Sequence, residues 1–259
     1  MTLPRDALLA GSDHRPVMAR LLDQAEEVLR TWQPSWSPFL SGPELEDAGK
    51  LEALSELRMV RDGGREGAER CRLQLSRRDQ ETNSESAPLC GLRLEGNFLF
   101  DRAEPDDMRQ ALMRLDVSAD AIGDLWLRGD RGAQAVCTPE AGEHLNGLTG
   151  QVRDVPLLLE TVPLEALQWP ARRTPRLLRS VEASCRLDAI ASAGFGLSRS
   201  KVTREIKEGR LRLNWGAIRQ ASRDLKVGDQ LQLQDRGSVE VLSLTLTKRE
   251  RWRVEMMRR

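Results

Sequence analysis

The chain contains 259 residues, and its 40 Lys and Arg residues balance its 40 Asp and Glu residues. A usual domain size of about 100 to 200 residues predicts two or three small units rather than one large core. A membrane-spanning helix needs about 20 consecutive apolar residues, and the sequence has no such run, so a spanning helix is excluded. The first residues also lack the apolar run of a secretory signal, so we expect a cytoplasmic protein.

Residues 1–80 predict an N-terminal α/β unit. Helical spacing of Val17, Leu21, Ala25 and Val28 predicts a first helix that the following Pro-rich segment ends. A second helix is predicted from Pro43 to Leu57, followed by strands LRMV and CRLQLS with a Gly-rich turn between them. The polar run from Arg77 to Pro88 has almost no apolar content, which is typical of an exposed linker.

Residues 89–168 predict a central unit with the order βαββαβ, in which QVRDVPLLLE is the last strand. This is the ferredoxin-like arrangement, which RNA-recognition modules also use. Such modules stack bases on exposed aromatic side chains of the sheet, and only Phe98, Phe100 and Trp126 qualify here. We therefore expect this unit to be mainly structural.

The segment PLEALQWPARRTPRLLRS is a proline-punctuated bridge rich in arginine. Its arginines could follow a nucleic-acid backbone, but a solvated bridge is the favoured interpretation. The arginines are Arg172, Arg173, Arg176 and Arg179.

Residues 180–259 predict a third unit, a helix pair on a small twisted sheet. Ser198 is placed to cap the second helix, whose inward side carries Val202 and Ile206, and Gly209 ends it. Alternating leucines then predict two short strands joined through polar turns. The whole chain is thus predicted to be an α+β protein of three small domains.

The zero net charge conceals an asymmetry. Residues 180–259 hold 17 Lys and Arg against 10 Asp and Glu, a net charge of +7, so the remainder carries −7. Such asymmetry points to an anionic partner at one end of the chain. If Val202 and Ile206 are buried, five bases should project outward: Arg199, Lys201, Arg204, Lys207 and Arg210. An ordinary solvated helix, with Glu205 and Glu208 pairing locally, is equally compatible with this pattern.

Cysteine and histidine usage argues against metal or nucleophilic chemistry. The four cysteines are widely spaced with no CxxC pair, and the chain has only two histidines, so we expect free, mostly buried thiols. No P-loop motif is present, and Gly194-Phe195-Gly196 follows a helix and lacks a third glycine. We predict no cofactor and no metal site.

The block RLDAIASAGFGLSRSKVTREIKEGRLRLN with a later Gly228-Asp229 closely resembles the S-four RNA-binding domain, an αL-type module named for ribosomal small-subunit protein four. Trp215 between Asn214 and Gly216 departs from the Asn-Gly usual in that family, and it could supply a stacking aromatic. Together with the basic face, the resemblance gives these RNA-binding candidates: Arg186, Ser198, Arg199, Lys201, Arg204, Lys207, Arg210, Asn214 and Trp215.

Upstream motifs extend the resemblance to three-part YlmH-like proteins, whose cyanobacterial branch is called photosystem II S-four domain protein. The motifs are Phe39-Leu40, Pro43-Glu44, Gly63-Gly64, Ala68-Glu69-Arg70-Cys71-Arg72 and Ile122-Gly123-Asp124-Leu125. The resemblance implies association with the large ribosomal subunit and a part in rescuing stalled nascent chains. The central unit departs from the family at Pro105-Asp106-Asp107, Arg109-Gln110 and Ala119.

These observations favour a non-catalytic, monomeric RNA-binding protein that recognises structured ribosomal RNA or tRNA. An assembly or protein-interaction factor for photosynthetic complexes is the alternative, in which the acidic units bind a protein. An RNA-modifying enzyme is the third choice, because Arg186-Leu187-Asp188 superficially fits the setting of a pseudouridine synthase aspartate. We expect Asp188 instead to pack or orient a helix.

Overall fold

The computed structural model describes residues 3–80, 86–170, 174–214, 216–218, 220–234 and 236–259. The chain forms two compact units, residues 1–170 and 171–259. Both mix helices with antiparallel sheets, which confirms the predicted α+β class. The first unit contains two sheets, each with its own apolar core, where two domains were predicted; the three-domain division stays a prediction.

The first sheet packs against a long helix. Its helices and strands are α1 Arg5–Ala10, α2 Arg15–Thr31, β1 Ser35–Trp36, α3 Gly42–Ala48, β2 Leu57–Asp62 and β3 Arg72–Arg77, with strand order β1-β3-β2. The apolar stripe of α2, including the buried Leu21, Leu22 and Ala25, faces Leu75 of β3 in one core. Helix α2 and both predicted strands are confirmed.

Two details of this region differ from the prediction. The helix expected from Pro43 to Leu57 ends at Ala48 and continues only as a 3-10 turn over Gly49–Ala53, because Leu51 must turn into the core before β2 starts. The short helix α1 was not predicted, since it buries no residue deeply and so shows no strong apolar stripe. The predicted linker falls partly on residues 81–85, outside the described residues.

The second sheet has the ferredoxin-like strand order. Its elements are β4 Cys90–Glu95, α4 Pro105–Met113, β5 Ile122–Leu127, β6 Gly132–Cys137, α5 Pro139–Leu145, β7 Thr149–Val152 and β8 Val155–Val162. The order is β5-β6-β4-β8-β7, and all pairs are antiparallel. The prediction of one strand over QVRDVPLLLE is wrong: Arg153, at φ +49°, turns the chain so that β7 and β8 form a hairpin.

The second unit packs two helices on one face of a six-stranded sheet. Its elements are β9 Arg176–Glu182, α6 Leu187–Phe195, α7 Arg199–Lys207, β10 Leu211–Leu213, β11 Gly216–Ala217, β12 Gln230–Leu233, β13 Gly237–Leu246 and β14 Trp252–Arg258. The order is β11-β10-β12-β13-β14-β9. The core lies between the helices and the sheet, with Ile190, Val202, Leu231 and Val254 all buried.

The sequence prediction missed four of the six strands of this sheet. The strand at Leu231 and Leu233 does not close it, because the long hairpin β13–β14 follows. The arginine-rich bridge is also not simply solvated: Arg176–Glu182 is the edge strand β9, paired with β14 over its whole length. Arg172 and Arg173 of that bridge lie outside the described residues.

Candidate nucleic-acid interface

The helix pair α6–α7 is built by local sequence signals. Gly196, at φ +68°, ends α6 in the left-handed conformation that glycine adopts without strain. Two residues later the Ser198 hydroxyl accepts the backbone N–H of Lys201 at 3.2 Å and caps α7. Val202 and Ile206 are buried in the core. The predicted cap, inward face and register of α7 are therefore confirmed.

The outward face of α7 carries two cations. Ser200, Arg204 and Lys207 are exposed at the spacing i, i+4 and i+7, which places them on one stripe of the helix. Among the described residues, no carboxylate forms an ion pair with Arg204 or Lys207. Arg204 and Lys207 lie in the last turn of α7, whereas the N–H groups that give a helix end a partial positive charge lie at its start, after Ser198. Both ends of this face therefore suit phosphate groups.

Arg199 and Lys201 lie at the start of the same helix. The Arg199 side chain is 51% exposed, and its guanidinium is 3.9 Å from the Glu182 carboxylate on β9. This long, exposed pair leaves the guanidinium available to another anion. Lys201 is half-buried on the flank of α7, away from the outermost stripe.

Arg210 does not project outward as predicted. Its side chain is only 16% exposed, and its Nε donates to the buried carboxylate of Glu205 at 2.7 Å. It also pairs with Glu208. Burying Glu205 without a partner would be costly, so Arg210 is held on the protein. The expectation that Glu205 and Glu208 pair with a neighbouring base therefore holds for Arg210. Among the predicted RNA contacts, we expect Arg210 to contribute least.

Arg186 and Asp188 form a two-pronged ion pair before α6. Two guanidinium nitrogens of Arg186 donate to the two carboxylate oxygens of Asp188 at 3.1 and 2.9 Å, and the pKa of Arg186 rises because of this hydrogen bonding. Asp188 is buried, and its N–H donates to the carbonyl of Ala221. Asp188 thus has the orienting role that was expected, and it fixes the half-exposed Arg186 fork.

Asn214 joins two turns of the domain. Its side chain donates to Asp229 at 2.9 Å and accepts the N–H of Gln230 at 2.8 Å, while Asp229 also accepts the N–H of Lys226. Asn214 has a φ of +48°, a conformation that asparagine tolerates better than most residues. The sequence hallmarks Asn214 and Gly228-Asp229 are therefore explained by turn structure. Trp215 lies outside the described residues.

The motifs upstream of the S-four block meet at one carboxylate in the first unit. Asp124 of β5 is buried and accepts the backbone N–H groups of Glu69 and Arg70 and the guanidinium of Arg65 at 2.9 Å. The Arg70 guanidinium in return donates to the carbonyl of Ile122. These contacts join the first sheet to the second, so the motifs here are structural.

A glycine in this cluster has an equally local explanation. A Cβ on Gly123 would lie 2.6 Å from a ring carbon of Phe39, which is fully buried. Only glycine lets the β5 backbone approach that ring. Phe39 and Gly123, both taken from the family resemblance, thus belong to the same junction.

The aromatic side chains of the central sheet do not form a base-stacking platform. Phe98 is 2% exposed within the core, and Phe100 is 95% exposed but lies in the loop after β4. Trp126 stacks on Trp169 at 5.2 Å between ring centroids, and its indole N–H donates to the carbonyl of Gln168. The expectation that this unit is mainly structural agrees with these positions.

The thiols are free, as predicted. Cys71, Cys137 and Cys185 are buried, and Cys90 is half-buried with its Sγ 3.4 Å from that of Cys137. Burial raises the pKa of Cys71 to about 11, whereas the hydrogen bond with Cys137 lowers the pKa of Cys90. Within the described ranges, no group of three or more His, Cys, Asp or Glu residues could hold a metal ion.

Comparison with known proteins covers almost the whole chain. Residues 13–80 match the family model for the YlmH N-terminal domain. Residues 185–231 match the S4 domain, which is another name for the S-four domain. The chain is 21% identical over 247 residues to the ribosome-associated protein quality control protein P2 of Bacillus subtilis (strain 168), with 95% of each chain covered.

A solved structure, the cell division protein ylmH from Streptococcus pneumoniae, is 15% identical with a TM-score of 0.48, covering 60% of this chain and 95% of that one. Neither the matched family models nor the Bacillus relative names a photosystem, so the photosynthetic alternative gains no support from them. Among the described helices, none has the length and apolar character needed to cross a bilayer.

Proposed function

We propose that this chain, which is similar to YlmH proteins and carries an S-four RNA-binding domain, is a non-catalytic adaptor that binds folded RNA on the ribosome. The exposed cations of α7 carry this proposal. Arg204 and Lys207 face solvent without an ion pair among the described residues, on a helix within the matched S4 segment. An exposed cation without an ion pair exchanges water and counterions for phosphate oxygens at little cost in free energy.

The ligand we propose is structured RNA, either ribosomal RNA or tRNA on the large subunit. The cations follow one helical stripe and the Arg186 fork is fixed by Asp188, so the surface is rigid and suits a shaped phosphate backbone. The Bacillus relative is named for ribosome-associated quality control, which supports a role in rescuing stalled translation, in the cytoplasm. The acidic remainder of the chain would limit nonspecific binding to RNA.

The test removes the two cations of the stripe. Arg204→Gln combined with Lys207→Gln should lower affinity for deproteinised ribosomal RNA about 25- to 60-fold at 0.1 M salt, since each phosphate contact contributes about 0.7 to 0.9 to the salt slope. The double variant should also fail to sediment with ribosomes. A control of equal charge, Arg176→Gln with Arg259→Gln, removes two exposed charges at the start of β9 and just after β14, where Arg259 forms a surface ion pair with Glu240, and should bind as the wild type does.

Circular dichroism of both variants should match the wild type, because all four side chains are on the surface. Wild-type protein that neither binds ribosomal RNA nor sediments with ribosomes would overturn the proposed function. Equal losses in the stripe variant and its control would show that only overall charge matters, which would contradict a defined site.

A further inference from the structure

The hairpin β13–β14 ends in a loop that the S4 family match does not include. The match stops at residue 231, whereas the loop spans residues 247–251. Its backbone is fixed from within: the Thr247 N–H donates to the carbonyl of Arg251 at 2.7 Å, and the Thr247 hydroxyl accepts the Arg251 N–H at 3.2 Å. Glu250 makes the turn at φ +55°. The loop therefore presents its side chains from a defined backbone.

Those side chains are mainly cationic. Lys248, Arg249, Arg251 and Arg253 are exposed, and with Glu250 they give the segment a net charge of +3. In the part of the chain that the structure describes, none of the four bases pairs with a carboxylate. They line an open cavity of about 880 Å³ with Val181, Thr245, Leu246 and Thr247. We call this set of four bases the hairpin cluster.

The hairpin cluster lies at the same end of the sheet as the start of α7. Trp252, directly after the loop, is the lateral neighbour of Glu182 on β9. Glu182 in turn approaches the guanidinium of Arg199, which is the first residue of α7, at 3.9 Å. Since paired strands are about 4.8 Å apart, the loop is adjacent to the capped end of α7. Glu182 therefore lies between the loop and Arg199, although Arg253, which is paired with Val181 and follows the helix-facing Trp252, faces the side of the sheet away from α6 and α7.

We propose that the hairpin cluster is a second contact for the phosphate backbone of the RNA, at the end of the sheet next to the start of α7. Three of its four bases are arginines, whose planar forks match phosphate oxygens in pairs. The exposed Val181 and Leu246 give the cavity apolar walls against which a ribose can pack. This inference rests on the proposed function, because its ligand is the same RNA.

The test removes two arginines of the loop. Arg249→Gln with Arg251→Gln should lower affinity for deproteinised ribosomal RNA about 25- to 60-fold at 0.1 M salt and reduce the salt slope by about 1.4 to 1.8. The measurement is filter binding across a potassium chloride series, with Arg176→Gln plus Arg259→Gln as the control of equal charge. Retained circular dichroism shows that the variant still folds.

The outcomes separate this inference from the function on which it rests. RNA affinity that falls in the Arg204 and Lys207 variant but not in the loop variant would overturn the hairpin contact and leave the proposed function standing. Binding of wild-type protein to vesicles containing anionic phosphatidylglycerol, lost in the loop variant while its RNA affinity is unchanged, would assign the cluster to a lipid surface instead. Absence of RNA binding by the wild type would remove both proposals.

Discussion

Replacement of Asp124 by alanine tests whether the upstream family motifs are structural. The carboxylate is 6% exposed and accepts hydrogen bonds from two backbone N–H groups, those of Glu69 and Arg70, and from Arg65. Each buried N–H left without an acceptor costs about 1 to 3 kcal/mol. The Arg65 side chain is 24% exposed, so water compensates it in part, and its loss adds about 1 kcal/mol.

We therefore expect Asp124→Ala to lower the free energy of unfolding of the first unit by about 3 to 7 kcal/mol. Asp124→Asn keeps a side-chain oxygen for the backbone donors and should cost about 1 to 2 kcal/mol. Asp154→Asn, at an exposed aspartate, is the control and should change stability by less than about 0.5 kcal/mol.

Urea denaturation of the full chain measures these differences, and hydrogen exchange at residues 65–71 and 122–127 locates them. RNA affinity below the unfolding transition should not change, because Asp124 and the α7 surface belong to different units. An Asp124→Ala protein as stable as the wild type would refute the structural role. Lost RNA affinity at unchanged stability would refute it as well, since the motif would then serve binding.

Two further predictions concern a turn and a thiol. Asn214→Ala should destabilise the second unit by about 1 to 2 kcal/mol, because it loses the hydrogen bonds to Asp229 and Gln230 and places alanine at positive φ. Asn214→Gly loses the same hydrogen bonds but adopts positive φ without strain, so in urea denaturation it should be more stable than Asn214→Ala. Equal stability of the wild type and both variants would contradict this. At pH 8 iodoacetamide should label Cys90 well before Cys71, because a pKa of about 11 leaves about one Cys71 thiol in a thousand ionised. Labelling of Cys71 should rise as the pH approaches 11. Mass spectrometry of labelled peptides decides, and faster labelling of Cys71 would show that its burial is wrong.

The helices of the candidate site could be predicted because their signals are local. Ser198 as a cap, Gly196 as a stop and the spacing of Val202 and Ile206 set the register of α7. Once that register is known, the exposure of Arg204 and Lys207 follows from the helical period alone. Fold class and the two matched domains could be anticipated for the same reason.

Other features could not be read from spacing. Arg210 was predicted to face solvent, yet it returns to Glu205, because a buried carboxylate needs a partner and burial is known only after packing. The junction at Asp124 joins residues more than fifty positions apart. The bridge arginine Arg176 begins a strand only because β14 offers it an edge.

By itself, the sequence determined where the positive charge lies, which helix presents it and which family motifs accompany it, since these depend on composition and on periods of a few residues. The tertiary structure decided which of those bases are unpaired and which form ion pairs with carboxylates. It also placed the hairpin cluster beside the start of α7, although about fifty residues of chain separate them. Strand order and register set such neighbours, and neither is encoded in a local pattern.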